Sequence, residues 1–133
     1  TPGTVGYPGD WNKIHIRHET SDVDHCVFRY GGRYGGALSV VGVSPAVSGN
    51  TFISNVTGIE LDDSSSALTN NTVTGSTFNP VVQVNTSFPT YSGNTYTGNG
   101  RQAIRIAGRI DGIGKREQTQ AQSECLMSEV NGA

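Results

Sequence analysis

Apolar and polar residues alternate along this chain in short, regularly recurring bursts. Five triplets carry apolar first and third positions: "IHI" at 14–16, "LSV" at 38–40, "IEL" at 59–61, "VQV" at 82–84 and "IRI" at 104–106. Successive side chains of a strand point to opposite sides, so alternation over three to five residues predicts short strands with one buried face. A second pattern follows each of the first four triplets: "VDHCVF" at 23–28, "VSGNTF" at 47–52, "LTNNTV" at 68–73 and "YSGNTY" at 91–96. Its fourth position reads Cys26, Asn50, Asn71, Asn94. From triplet start to motif start the step is nine residues each time (14 to 23, 38 to 47, 59 to 68, 82 to 91). The return from motif end to the next triplet varies instead, running 10, 7, 9 and 8 residues. One side of the unit is rigid and the other tolerates changes of length.

A unit of 21 to 24 residues holding two small strands and two turns cannot bury its apolar side alone. It has to stack on its neighbours. Leucine-rich architectures of similar period need a helix or a regular Leu framework, and these units have neither. The pattern therefore predicts an all-β solenoid of about five coils, with equivalent strands pairing in parallel about 4.8 Å apart. Equivalent residues then sit above one another. A side-chain amide both donates and accepts, so the Asn column becomes a hydrogen-bonded ladder along the axis. The ladder should stop at Asn50, leaving Cys26 as a small buried thiol at its end.

Composition fits turns and strands: 18 of the 133 residues are Gly and only 15% are charged. The repeat domain spans 1–113. Residues 114–133 shift to a Gln-, Glu- and Ala-rich cap or tail, where Ala121, Cys125, Leu126, Met127 and Val130 permit a short amphipathic helix, a dimer contact or a disordered end. Before the first strand, Val5, Tyr7 and Trp11 offer a partial lid. A solenoid with uncapped ends exposes strand edges that recruit another copy, so a homo-oligomer through those ends is a further expectation. A net charge of −2 with a pI near 5.8 gives no global positive field for nucleic acid. No stretch has the roughly 20 apolar residues of a membrane span, and the first residues contain no apolar segment like a secretory leader's. Cys26 and Cys125 are far apart and fit no metal-ligand spacing.

Candidate chemistry lies on the triplet strands. With their apolar residues pointing in, the middle residues form an outward column of His15, Ser39, Glu60, Gln83 and Arg105, flanked by Lys13, Arg17, Asp62 and Asn85. Solubility alone would also favour a polar column there. The first variable turn, "RYGGRYGGA", carries Arg29, Tyr30, Arg33 and Tyr34 among four glycines. Tyrosines beside arginines suit stacking on a sugar ring and pairing with its carboxylate or sulfate. Glu60, Asp62 and Asp63 form the one acidic concentration of the middle coils and bring calcium into view, although alternation splits Asp63 from the other two. No other cofactor is suggested. His15, His18 and His25 are too scattered for a triad, and "GGRYGG" precedes a strand rather than the helix a phosphate loop opens.

The segments "PGDWNKIHI" and "DHCVFRYGG", followed by the "NTF", "NTV" and "NTYTGNG" coils, resemble the right-handed parallel β-helix repeat proteins of the pectin-lyase-like superfamily over about residues 8–108. The resemblance implies three sheets per coil, right-handed winding and any carbohydrate groove lying over the triplet sheet. It also implies a secreted or cell-surface setting. Members include polysaccharide lyases, hydrolases and epimerases as well as many non-catalytic surface repeats. No catalytic motif is matched, so the expected function is non-catalytic binding or assembly, as in a fragment of a larger bacterial surface protein. The alternative is a carbohydrate-active enzyme or acidic-glycan binder, with polysaccharide as the partner and Tyr30, Arg33, Tyr34, His15, Glu60, Gln83 and Arg105 as the contacting residues.

Overall fold

Each repeat winds into one coil of three strands separated by tight corners. The computed structural model describes residues 5–108. Coil one comprises β1 (Ile14–Ile16), β2 (Val23–Asp24) and β3 (Val27–Arg29), and coil two β4 (Gly36–Val41), β5 (Val47–Ser48) and β6 (Thr51–Ile53). Coil three comprises β7 (Thr57–Asp62), β8 (Ala67–Thr69) and β9 (Thr72–Thr74), and coil four β10 (Val81–Asn85), β11 (Thr90–Ser92) and β12 (Thr95–Thr97). β13 (Arg105–Gly108) opens a fifth. Every strand pairs in parallel with its equivalents, giving sheets β1-β4-β7-β10-β13, β11-β8-β5-β2 and β12-β9-β6-β3. No α-helix occurs among the described residues. The chain is thus a parallel β-solenoid. The expected tail at 114–133 lies outside the described residues.

Inward side chains stack in columns. Leu38, Ile59 and Val81 are aligned and fully buried, as are Val47 and Leu68. Phe28 and Phe52 stack face to face, with ring centroids 4.7 Å apart and planes 6° from parallel. Burial of each such side chain stabilises the fold by roughly 1.5–3 kcal/mol. Corners turn through residues with positive φ, and Asn70, with φ 56°, shows how: its short amide side chain tolerates a conformation that bulkier residues avoid. The corner at which it lies immediately precedes the ladder, where His25, Gly49 and Gly93 adopt the same conformation in the other coils.

The ladder runs as the spacing predicts. Asn71 Oδ1 accepts the backbone N–H and the side-chain amide of Asn50, both at 3.0 Å. Asn94 Oδ1 accepts the same pair from Asn71 at 2.9 and 3.0 Å. Each amide also donates to a backbone carbonyl of the preceding coil: Asn50 to Val23, Asn71 to Val47 and Asn94 to Leu68. The ladder's side chains end at Asn50, whose Oδ1 accepts the Cys26 N–H at 2.8 Å. Cys26 itself is exposed rather than buried. No strand among the described residues stacks above it, so its Sγ turns aside to the Asp24 carbonyl.

The fourth triplet corrects the sequence reading. Val81 pairs with Ile59, Val82 with Glu60 and Gln83 with Leu61, so the strand sits one residue earlier than "VQV" suggests. From the aligned inward residues, Leu61 to Leu68 spans seven residues and Gln83 to Tyr91 eight. One extra residue in the turn absorbs the shift. A one-residue slip exchanges the faces of a strand: Gln83 is buried at 2% exposure and Val82 takes its outward place.

Candidate functional site

The charged residues between Tyr34 and Gly100 are Glu60, Asp62 and Asp63. Asp63 stands at the corner after β7, and the first two lie on the outer face of the sheet built from β1, β4, β7, β10 and β13. Register aligns His15, Ser39, Glu60, Val82 and Arg105 across it. His15 and Arg105 are exposed. Two strand spacings separate His15 from Glu60, about 9–10 Å between Cα atoms. The long partner that reaches Glu60 across that gap is Lys13, with Nζ 3.5 Å from Glu60 Oε1. Ser39, buried between them in coil two, donates its hydroxyl to the same oxygen at 3.2 Å. Gly35 closes over the pair. A Cβ there would lie 2.9 Å from Glu60 Oε1 and 3.0 Å from Lys13 Nζ, and its φ of +145° further restricts the position to glycine.

The remaining acids are also engaged. Asp62 Oδ1 accepts the Asn85 amide at 2.7 Å, and Asp63 Oδ1 accepts the Thr86 N–H at 3.0 Å. Asp62 therefore holds β7 to β10 and Asp63 caps the corner. No three His, Cys, Asp or Glu side chains are grouped to hold a metal ion among the described residues.

The Gly-rich turn divides the predicted contacts. Arg33 donates from Nε to the Gly9 carbonyl at 2.9 Å and from a terminal nitrogen to the Asp10 carbonyl at 2.8 Å. The Tyr30 ring packs against Gly6, and the Trp11 ring against Gly31. Trp11 Nε1 donates to the Arg29 carbonyl at 2.6 Å. Tyr30 and Arg33 thus fasten residues 6–12 across the corner, making Trp11 the working part of the expected lid while Val5 and Tyr7 stay exposed. Tyr34 projects into solvent at 72% exposure. The histidines stay apart in role: His18 Nδ1 bonds Thr20, and His25 Nδ1 pairs with Asp24 at 2.5 Å.

Gln83 leaves the site altogether. Its Oε1 accepts the Tyr91 hydroxyl at 2.6 Å and its Nε2 donates to the Ser87 carbonyl at 3.1 Å, which satisfies a buried amide that would otherwise cost 1–3 kcal/mol by rough measure. Sequence reasoning missed Lys13 as the partner of Glu60. It also missed a second amide column five residues after the first. There Asn55 Oδ1 accepts the Gly31 N–H and Asn99 Oδ1 the Ser76 N–H. Reading five residues beyond Cys26, Asn50, Asn71 and Asn94 gives Gly31, Asn55, Ser76 and Asn99, so the spacing held that signal.

No protein-family model matches this chain, and no curated protein or solved structure matches it either.

Proposed function

We propose that the chain is a non-catalytic β-solenoid serving binding or assembly, akin to the non-enzymatic repeats of the pectin-lyase-like proteins it resembles in sequence. The observation that carries this is the state of its outward acids. Glu60 is held by Lys13 and Ser39, Asp62 by Asn85 and Asp63 by the Thr86 N–H. Hydrolysis of a glycoside uses two carboxylic groups roughly 5–10 Å apart, one protonated and one poised on water or the sugar. Carboxylates committed to coil-to-coil bonds are poor candidates for either role. The test is an ultraviolet-absorbance lyase assay and a reducing-sugar assay on uronate polymers, with and without added calcium. Neither should show turnover, and turnover abolished by Glu60→Gln would overturn the proposal.

One observation favours acidic-glycan binding as the form this takes. The exposed Tyr34 ring adjoins Gly35, which packs on Lys13, on the sheet that also presents His15 and Arg105. An exposed phenol ring offers a stacking surface for a sugar, and exposed Arg105 on the same sheet is a group that pairs with a carboxylate or sulfate. Retention of such glycans on an array, lost on Tyr34→Ala, is the result this reading expects.

A further inference from the structure

We infer that the outer face of the third sheet, built from β3, β6, β9 and β12, binds ice. The motif that carries the ladder also places a threonine directly after each ladder asparagine: "NTF", "NTV" and "NTY". The ladder therefore positions more than itself. Thr51, Thr72 and Thr95 align across β6, β9 and β12, and their N–H groups bond the carbonyls of Cys26, Asn50 and Asn71. Two residues on, Ile53, Thr74 and Thr97 form a second rank in the same register. Phe52, Val73 and Tyr96 between the ranks are buried in the core, so both ranks point outward. Five of the six outward residues of coils two to four on this sheet are threonine. Val27 and Arg29 take the two places in coil one, where the array ends.

β-Propensity favours Thr on such a face, but it favours Val, Ile and Tyr as much. Solvation alone would add charge, which about a quarter to a third of a soluble surface carries. None of the six is charged. The corner residues beside the ranks are short as well: Gly49, Asn70 and Gly93 on one side, Ser54, Gly75 and Gly98 on the other. Branching at Cβ restricts χ1, so each threonine presents a fixed methyl and a fixed hydroxyl. Thr97 Oγ1 donates to Thr74 Oγ1 at 3.3 Å. The hydroxyls of Thr51, Thr72 and Thr95 bond no group among the described residues and are left to water.

Dimensions select the form of water. Threonines repeat about 4.8 Å apart along the coil axis and about 6.6 Å apart along the strand. Oxygen atoms on the prism face of hexagonal ice repeat in a rectangle whose edges lie within about a tenth of those lengths, so over three coils and two ranks the mismatch stays under about 1 Å. The methyls restrict the water between them, and the hydroxyls anchor it in register. Other occupants fit less well. The face measures about 14 by 10 Å, far below the roughly 800 Å² per partner of a stable protein interface. It also lacks the rings and charges on which a sugar chain stacks or pairs. His15 and Arg105 stand on another sheet, so failure of glycan binding would leave ice binding untouched.

Uptake into a slowly grown ice hemisphere tests this, with the full chain at micromolar concentration and albumin as the excluded reference. The chain should be enriched in the ice relative to albumin and should hold back the coarsening of ice grains in frozen sucrose solution. Thr72→Lys sets a long cation in the middle of the array and should abolish both effects. Thr95→Lys, at a more exposed position, should do the same, and it stands in if far-ultraviolet circular dichroism shows that Thr72→Lys does not fold. Thr69→Lys and Ser92→Lys add the same charge to the neighbouring sheet and should leave both effects intact. A chain excluded from ice as albumin is, lysines on the third sheet that leave uptake unchanged, or equal loss from lysines on the second sheet would each overturn the inference.

Discussion

Removing the Asn71 side chain is the sharpest perturbation of this fold. Four side-chain bonds disappear in Asn71→Ala: two accepted from Asn50, one donated to the Val47 carbonyl and one donated to Asn94 Oδ1. Asn50 and Asn71 are each 1% exposed, so water does not readily replace the lost partners. At about 1 kcal/mol per bond, with more for the stranded buried N–H of Asn50, the loss sums to about 3–5 kcal/mol. Total stabilities of about 5–15 kcal/mol make that a large share. The melting temperature should fall by roughly 10–20 °C for a domain near this size. Urea unfolding followed by circular dichroism provides the measurement, with a lowered midpoint and little change in slope. Asn94→Ala should cost less, because its side chain makes three bonds and is only partly buried. Asn71→Asp keeps the acceptor, sets a carboxylate against two oxygens, and should be at least as damaging as Ala at neutral pH. A loss below about 1 kcal/mol for Asn71→Ala, the worth of a single bond, would refute the ladder as a stabilising device.

Further outcomes follow from single contacts. Ser76 interrupts the second amide column and its buried hydroxyl finds no partner among the described residues; Ser76→Asn should stabilise by about 1 kcal/mol in the same urea assay, through the kind of bonds Asn55 and Asn99 make. Glu60→Gln should cost no more than about 1 kcal/mol, since Lys13 and Glu60 retain 17% and 25% side-chain exposure and water screens the pair. Gly35→Ala should cost more than Glu60→Gln, since its Cβ would press on both partners. In a Cys125→Ser background, Cys26 should react with a thiol reagent in the native protein as readily as in urea, because it is exposed; reaction confined to unfolded protein would contradict its placement.

The solenoid was legible because its physics is periodic. Stacked coils require equivalent residues at equivalent positions, and the Asn column announces that requirement directly: Asn50, Asn71 and Asn94 all recur at one place. Local ambiguity defeated the fourth triplet. "PVVQV" offers apolar residues at 81, 82 and 84, and alternation alone prefers Val82 and Val84. The pairing of Val81 with Ile59 and the bonds that Tyr91 and Ser87 offer Gln83 decide otherwise. Neither is visible before the coils are stacked. Cys26 was misjudged because its column is buried only where another coil lies above. The site was less legible than the fold. Tyr30 and Arg33 carry the residue types of a sugar contact, yet their contacts fasten residues 6–12, a partnership set by chain path rather than by motif. Lys13 reaches Glu60 only because two strand spacings match the combined reach of the two side chains.

The stacking of the amides is open to direct observation by nuclear magnetic resonance. Nuclear Overhauser contacts are expected from the Asn71 side-chain amide protons to residues of coils two and four, Asn50 and Asn94 among them, together with slow solvent exchange of the Asn50 and Asn71 amides. Side-chain amides that exchange at the rate of free asparagine, with no contacts between coils, would contradict it.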